Sequence, residues 1–150
     1  MMWETYQRNR LAFEAQLLAQ EFPHFGFHEP TGDTYLSGYQ STSAGSSYHL
    51  WLPIPRGYPD QCPPAYIYRP NPLQGHRGLR TINSYGSSHE MHTLGNGAHG
   101  EVQICHFRPE RWDASVTLAK VLLKCALWLE AYEQHLRTGS GIAKFVRSMP

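Results

Sequence analysis

The chain has 150 residues and a formal net charge of +1. A length of this order fits one domain that buries roughly two-thirds of the surface of its unfolded chain. We therefore expect a single domain over residues 1–150, with a core over about 3–138 and a short tail over 139–150. The near-neutral charge argues against a nucleic-acid partner, because nucleic-acid-binding proteins normally carry a strong basic excess.

The sequence shows no pattern typical of a signal peptide, a membrane span or a disulfide framework. The first residues, MMWETYQRNR, lack the basic and then apolar layout of a secretory signal peptide. The longest apolar stretch, VLLKCALWL, is interrupted by Lys124 and is too short to cross a membrane. Three cysteines without a framework spacing are typical of a reducing compartment. We expect a cytoplasmic protein without a membrane partner.

The first predicted element is an amphipathic helix over residues 3–21, which is followed by Pro23. Apolar and aromatic side chains recur in it at steps of three and four, as expected for one face of a helix. The stripe contains Trp3, Tyr6, Arg10, Phe13 and Leu17, and it is widened by Leu11 and Leu18. This pattern predicts a helix that packs on a sheet through its aromatic side chains.

Three strand-like segments follow, over residues 34–40, 47–54 and 65–70. The polar turn STSAGS separates the first two, and YPDQCPP precedes the third. Successive strands joined by short turns predict an antiparallel meander. Residues 71–100 are rich in glycine, contain four histidines and show little apolar periodicity. They predict a long loop without apolar anchors, which we expect to be the most mobile internal region.

The last predicted element is a helix over about residues 118–136. Its apolar stripe contains Leu118, Val121, Leu122, Cys125, Leu129, Tyr132 and Leu136. Asp113 and Ser115 are candidate N-caps, and Thr138 followed by Gly139 is a C-terminal stop signal. The sequence thus predicts an α+β fold: an N-terminal helix, an antiparallel meander, a long loop that contains Cys105, and a C-terminal helix packed on the sheet.

The stretch ICHFRPERWDASVTLAKVLLKCALWL resembles the active-site region of ubiquitin-conjugating enzymes. The matching features are the step Ile104-Cys105, Trp112 seven residues later, and the helix start TLAKVLL. Upstream, YPDQCPP resembles the Tyr-Pro…Pro-Pro turn of that family, although it is one residue longer. The order of elements also matches, so the resemblance covers most of residues 3–136.

The resemblance implies that Cys105 carries an acyl group as a thioester and passes it to an amine. Two features depart from the family pattern: the stretch between Pro64 and Cys105 is longer, and the His-Pro-Asn triplet is replaced by HTL at residues 92–94. The asparagine of the triplet stabilises the oxyanion in that family. Here either Asn96 is the substitute or the role is unfilled. His92 is the candidate base or loop organiser.

These departures resemble divergent bacterial members of the family, some of which belong to CBASS anti-phage operons. Those members act on the C-terminus of a cGAS-like nucleotidyltransferase. The resemblance implies that the acyl group is the C-terminus of a ubiquitin-like protein or of a cGAS-like nucleotidyltransferase. Such a partner has a flexible C-terminal glycine, acts with or without an activating enzyme, and needs no cofactor.

Several alternatives stay open. Cys105 has no nearby acidic partner in the sequence, which argues against a cysteine protease. Two alternative hypotheses remain: Cys105 is an inert buried thiol, or the whole protein is a non-catalytic binding module of the same fold. We assign Cys62 and Cys125 to structure and Trp112 to packing. A zinc site would use His89, His92, His99, Cys105 and His106, but their spacing fits no familiar site, so we expect a polar loop and no metal.

Overall fold

The computed structural model describes residues 3–146, and its elements confirm the α+β class. Helices are α1 (Thr5–Glu21), α2 (Leu118–Thr138) and α3 (Ile142–Val146). Strands are β1 (Phe25–His28), β2 (Tyr35–Ser41), β3 (Ser47–Pro53), β4 (Tyr66–Arg69) and β5 (Val102–Gln103). Three short 3-10 helices cover His76–Gly78, Ile82–Tyr85 and Pro109–Arg111.

The five strands form one sheet in the order β1-β2-β3-β4-β5, and every neighbouring pair is antiparallel. This confirms the meander. Strand β1 escaped the sequence analysis because FGFH is short and follows directly on the turn after α1. Its pairing with β2 requires a glycine at Gly38, where an added Cβ would lie only 2.4 Å from the carbonyl oxygen of His24.

The inner face of the sheet packs against α2 in a single hydrophobic core. Tyr48 on β3 contacts the ring of Tyr132 on α2 edge-to-face at 5.9 Å and donates a hydrogen bond to Glu133. The buried strand residues alternate along the chain, as expected for a sheet with one covered face; they include Leu36, Leu50, Leu52, Ile67 and Val102.

Helix α1 is confirmed, but its predicted buried stripe is only partly correct. Trp3 and Leu18 are buried as predicted. Tyr6 and Phe13 are instead 55% and 51% exposed, and the polar residues Gln7 and Glu14 are buried. The rotation of α1 about its axis is set by polar residues, because the side chains of Gln7 and Glu14 form hydrogen bonds in the core. A periodicity count based on apolar residues misses such a face.

The long loop over residues 71–100 is present, but it does not lack apolar anchors. Leu73, Ile82 and Met91 are each at most 1% exposed and belong to the core. Thr93 forms bridges with Ser88 and with Ile104, so the loop returns to the sheet beside β5. The reason we gave for its mobility is therefore wrong, and the mobility itself stays a prediction.

The ends of α2 are set by Thr117 and Gly139. Thr117, rather than Asp113 or Ser115, is the N-cap, since its side chain accepts the N–H of Lys120 at 3.2 Å. Gly139 adopts the expected left-handed C-cap conformation, with φ of 79°. The core does not end near residue 138, because Ile142 of α3 is fully buried.

Within residues 3–146, no helix is both long and apolar enough to cross a membrane. Residues 1–2 and 147–150 of the predicted domain lie outside the described part of the chain.

Candidate active site

Cys105 lies two residues after the end of β5 and is held between two neighbouring segments. The N–H of Ile104 donates to the carbonyl oxygen of Ala65 at 2.9 Å, and Ile104 also forms a bridge with Thr93. The N–H of Cys105 donates to the carbonyl oxygen of His92 at 3.1 Å. Because residues opposite each other in an antiparallel ladder project from the same face, this pairing places His92 beside Cys105.

The thiol of Cys105 is half-buried and opens into a cavity of about 640 Å³, which we call the thiol cavity. Its lining residues are His92, Cys105, His106, Phe107, Arg108, Arg111 and Lys124. A second cavity of about 260 Å³ leads from the same thiol along α2 towards Trp128. The sulfur is therefore accessible to another molecule, and three of the seven lining side chains are cationic.

The surroundings of Cys105 keep its thiol protonated. Burial raises the pKa of Cys105 above its ordinary value, while Arg108 and Lys124 lower this pKa and Glu110 raises it. Since the ordinary value already exceeds neutrality, only a small thiolate fraction exists at pH 7. Such a thiol attacks an unactivated amide poorly, but its thiolate fraction can exchange with an activated thioester.

His92 organises the loop around Cys105. Its φ of 54° lies in the left-handed region, where histidine is one of the more tolerated residues. Its carbonyl oxygen accepts both the N–H of Cys105 and the indole N–H of Trp128, the latter at 2.9 Å. His92 lines both cavities at the thiol. The structure thus brings this predicted residue to Cys105, whereas its role as a base stays a prediction.

Asn96 is not brought to Cys105. It is exposed, and its side-chain amide donates to the carbonyl oxygen of Asn83 at 2.8 Å. The N–H of its neighbour Gly97 donates to the carbonyl oxygen of Glu101, at the other end of β5. At about 3.3 Å per residue, this position is roughly 13 Å along the strand from Cys105. The geometry therefore argues against Asn96 as the oxyanion stabiliser.

His106 fixes the segment that carries Cys105 to the turn before β4. The ring is 7% exposed and lies between two carbonyl oxygens, with Nε2 at 2.7 Å from Pro63 and Nδ1 at 3.2 Å from Ile104. Burial lowers the pKa of His106, so the ring is neutral and donates one hydrogen bond. We assign the donor to Nε2 because its contact is shorter. The sequence analysis considered His106 only as a metal ligand.

Lys124 is a site residue that the sequence analysis did not single out. Its Nζ lies 3.9 Å from the centre of the Phe107 ring, a cation–π distance. Burial lowers the pKa of Lys124, Lys120 and Arg111 lower it further, and Cys105 raises it. The available signal was that Lys124 interrupts an otherwise apolar helical stretch close to the predicted active-site loop.

The loop after Cys105 is held by Trp112. The indole N–H of Trp112 donates to the carbonyl oxygen of Pro59 at 2.8 Å, and its ring meets Phe107 edge-to-face at 5.3 Å. The ring is half-buried against the core. These contacts agree with the packing role expected from the sequence.

A buried carboxylate secures the start of α2. Glu14 on α1 is fully buried and accepts the N–H of Leu118 at 3.0 Å, as well as the hydroxyl of Tyr58. Leu118 is the first residue of α2, and a negative charge is favoured at a helix N-terminus. Arg10 lies 3.6 Å from Glu14 and donates to the carbonyl oxygen of Val116 at 2.8 Å. The end of the loop between Cys105 and α2 is thereby attached to α1.

The structure also bears on the other two cysteines and on the predicted alternative of a zinc site. Cys125 is fully buried, and burial raises its pKa to about 12. Cys62 is half-buried with its pKa raised to about 11, mainly by burial, and its Sγ lies 3.6 Å from Nε2 of His106. Among the residues that the structure describes, no three His, Cys, Asp or Glu side chains are arranged to hold a metal ion.

Neither a scan against protein-family models nor a search of curated proteins found a match to this chain. The geometry around Cys105 and the sequence motifs are therefore the features that bear on function.

Proposed function

We propose that the protein is a ubiquitin-conjugating-like transferase that carries an acyl group as a thioester on Cys105. The observation that carries this proposal is the placement of the thiol. It lies at the end of a strand, opens into a cavity, and is followed by a loop that Trp112 fastens and by the long helix α2. The order of elements agrees with the fold that the sequence motifs imply.

The proposed reaction has two exchanges at one sulfur. The thiolate of Cys105 attacks the carbonyl carbon of an activated thioester donor, a new C–S bond forms, the C–S bond of the donor breaks, and the donor sulfur leaves as a thiolate. An amine then attacks the carbonyl carbon of the Cys105 thioester, a C–N bond forms, and Cys105 leaves as the thiolate. His92, which lines the cavity beside Cys105, accepts the proton lost by the amine.

In this proposal the oxyanion is stabilised by the cationic side chain of Lys124 rather than by an asparagine. Asn96 hydrogen-bonds elsewhere, whereas Lys124 lines both cavities with Cys105. A positive charge in a partly buried site favours the negative charge that develops on the carbonyl oxygen. Arg108 and Arg111 line the same cavity and add to its positive potential.

The acyl donor is proposed to be a polypeptide with a flexible C-terminal glycine. A bulky or β-branched last residue would crowd both the sulfur and the incoming amine. Following the resemblance to CBASS members, we propose a cGAS-like nucleotidyltransferase as the donor, with an activating enzyme where one is needed. The setting is then anti-phage defence in the bacterial cytoplasm.

A non-catalytic binding module of the same fold is the second candidate. Two observations favour it: the raised pKa of Cys105 and the distance of Asn96 from the sulfur. In this case the protein binds its partner without any covalent intermediate.

Synthetic peptide thioesters test the proposal without an activating enzyme. A peptide that ends in a glycine thioester is mixed with the folded chain, and the intact mass is followed. We expect an adduct that hydroxylamine and added thiols both cleave. A matched peptide that ends in valine thioester should load more slowly, because its branched side chain crowds the carbonyl carbon.

Variants of the three cysteines locate the adduct. Cys105→Ala should form none, and Cys105→Ser should form an oxyester slowly, which thiol reductants do not cleave. Cys62→Ala is the matched control, since Cys62 is also half-buried but does not line the thiol cavity. Persistence of the adduct in folded Cys105→Ala refutes the proposal, and tight partner binding without any adduct supports the binding module.

A further inference from the structure

The outer face of the sheet carries a continuous surface of aromatic rings. Trp51 on β3 meets Tyr35 on β2 at 6.4 Å and Tyr66 on β4 at 5.4 Å. His49 meets Tyr68 at 5.3 Å. The uncovered face of an antiparallel sheet normally carries polar side chains, so a row of rings there indicates a binding surface.

These rings enclose a cavity of about 440 Å³, which we call the aromatic cavity. It is lined by Tyr35, Ser37, His49, Trp51, Tyr68, His99 and Glu101. Ser37 is paired directly with Trp51 across β2 and β3. Its small side chain leaves open the space that a larger residue at this position would fill.

A buried carboxylate lines this cavity. Glu101 is only 3% exposed, and its Oε1 accepts the N–H of His99 at 2.8 Å. No ion pair to Glu101 forms within residues 3–146. Gly97 permits this position, because a Cβ there would lie 2.6 Å from Oε1 of Glu101. A buried charge without a counter-ion is costly, and a bound cation would offset that cost.

The groups around Glu101 favour a positively charged ligand over other ligands. Burial lowers the pKa of His49, and Arg69 and His28 lower it further, so His49 is neutral. Arg69 places its guanidinium carbon 4.6 Å from the centre of the Tyr68 ring, so this ring already makes an intramolecular cation–π contact. The carboxylate of Glu101 would repel a phosphate or another anion.

We propose that the aromatic cavity binds the alkylammonium group of a lysine side chain presented by a polypeptide partner. Aromatic faces attract an ammonium group, and Glu101 supplies the opposite charge. Tyr39 and Tyr68 beside and within the cavity are 58% and 39% exposed, so they are available to the backbone and neighbouring side chains of a polypeptide. This binding is independent of the chemistry proposed for Cys105.

Short peptides test this proposal on the full chain. The probes are a five-residue peptide with a central lysine, the same peptide with acetyl-lysine, and tetramethylammonium chloride. Aromatic ¹H–¹³C NMR shifts of the cavity rings report binding. We expect the lysine peptide to shift Tyr35, Trp51 and Tyr68, and the neutral acetyl-lysine peptide to bind about tenfold more weakly, which corresponds to about 1.4 kcal/mol.

Two cavity variants and one surface control complete the experiment. Glu101→Gln keeps the acceptor for the N–H of His99 but removes the charge, and we expect it to bind the lysine peptide about tenfold more weakly. Trp51→Leu removes an aromatic face of the cavity and should also weaken binding. Tyr6→Leu changes a similarly exposed tyrosine on α1 that does not line the cavity, and it should bind like the original chain.

Four results would overturn the proposal. The first is equal binding of the lysine and acetyl-lysine peptides, and the second is binding of tetramethylammonium when the lysine peptide does not bind. The third is unchanged binding by folded Glu101→Gln or Trp51→Leu. The fourth is the absence of NMR shifts up to about 10 mM lysine peptide. The first would show an apolar patch, and the second a site for free quaternary ammonium compounds.

Discussion

Two cavities flank the short strand β5, and their chemistry is opposite. Glu101 precedes the strand and Cys105 follows it, four residues further along. The cavity at Cys105 is lined by three cationic side chains around a protonated thiol. The cavity that Glu101 lines has aromatic rings around a buried carboxylate.

In our two proposals, this contrast separates a reactive site from a recognition site. Positive charge beside a thiol favours the thiolate and the oxyanion, which are the charged species of acyl transfer. Rings beside a carboxylate favour a bound cation and offer no nucleophile. Because different side chains line the two cavities, a change in one should leave the other intact.

The largest expected effect is the loss of the covalent adduct in Cys105→Ala. This variant should form no adduct with a glycine thioester, yet it should bind the lysine peptide like the original chain. Glu101→Gln should show the reverse, with normal loading and weakened peptide binding. Intact-mass measurement and NMR titration of both variants check the separation. A folded Cys105→Ala that loses peptide binding would show that the two cavities are coupled.

The next effect concerns the release of the acyl group. His92→Asn preserves a residue that tolerates positive φ, but it removes the imidazole from beside Cys105. We expect discharge to an amine to fall about 100-fold, because general-base assistance contributes at least that factor. Loading from a peptide thioester should change little. Equal losses in loading and discharge would instead indicate a disrupted loop.

A third prediction compares the stability contributions of aromatic residues at the two sites. Trp112→Ala removes a half-buried indole and its hydrogen bond to Pro59, so we expect a loss of about 2–3 kcal/mol in the free energy of unfolding. Tyr68→Ala removes an exposed ring and should cost less than about 1 kcal/mol. Urea unfolding of both variants measures the difference. Similar costs would contradict the assignment of Trp112 to packing.

The smallest expected effect is a pair of opposite pKa changes at Cys105. Glu110→Gln removes a negative charge and should lower the pKa of the thiol, whereas Lys124→Gln removes a positive charge and should raise it. Solvent screens both interactions, so each change should be small. The pH dependence of alkylation in a Cys62→Ala background reports these values. Changes in the same direction would refute the electrostatic description of the thiol cavity.

The sequence predicted the parts of the fold that follow from periodicity, and it missed those that depend on buried polar groups. Helices α1 and α2, the three central strands and the position of Cys105 near a strand end come from local patterns. The buried face of α1 depends on hydrogen bonds of Gln7 and Glu14 to distant segments, which no local pattern records. The core position of Ile142 likewise depends on tertiary packing.

The candidate site was predicted only in part, because some of its residues are brought together by contacts between distant segments. Cys105 was recognisable from its motif, and His92 proved to be its neighbour across the ladder. Asn96 was chosen for its distance along the chain, but its backbone register places it at the other end of β5. Lys124 and the aromatic cavity combine residues from separate elements, so the sequence alone gave little indication of either.

The most direct test of the central claim is a single-turnover discharge of the loaded protein. The chain is loaded with a glycine thioester peptide, the excess donor is removed, and the Cys105 thioester is followed by intact mass with and without added lysine. We expect lysine to accelerate its loss beyond hydrolysis, and beyond the aminolysis of the same peptide on a free cysteine derivative. Loss at the rate of hydrolysis alone would contradict the transferase.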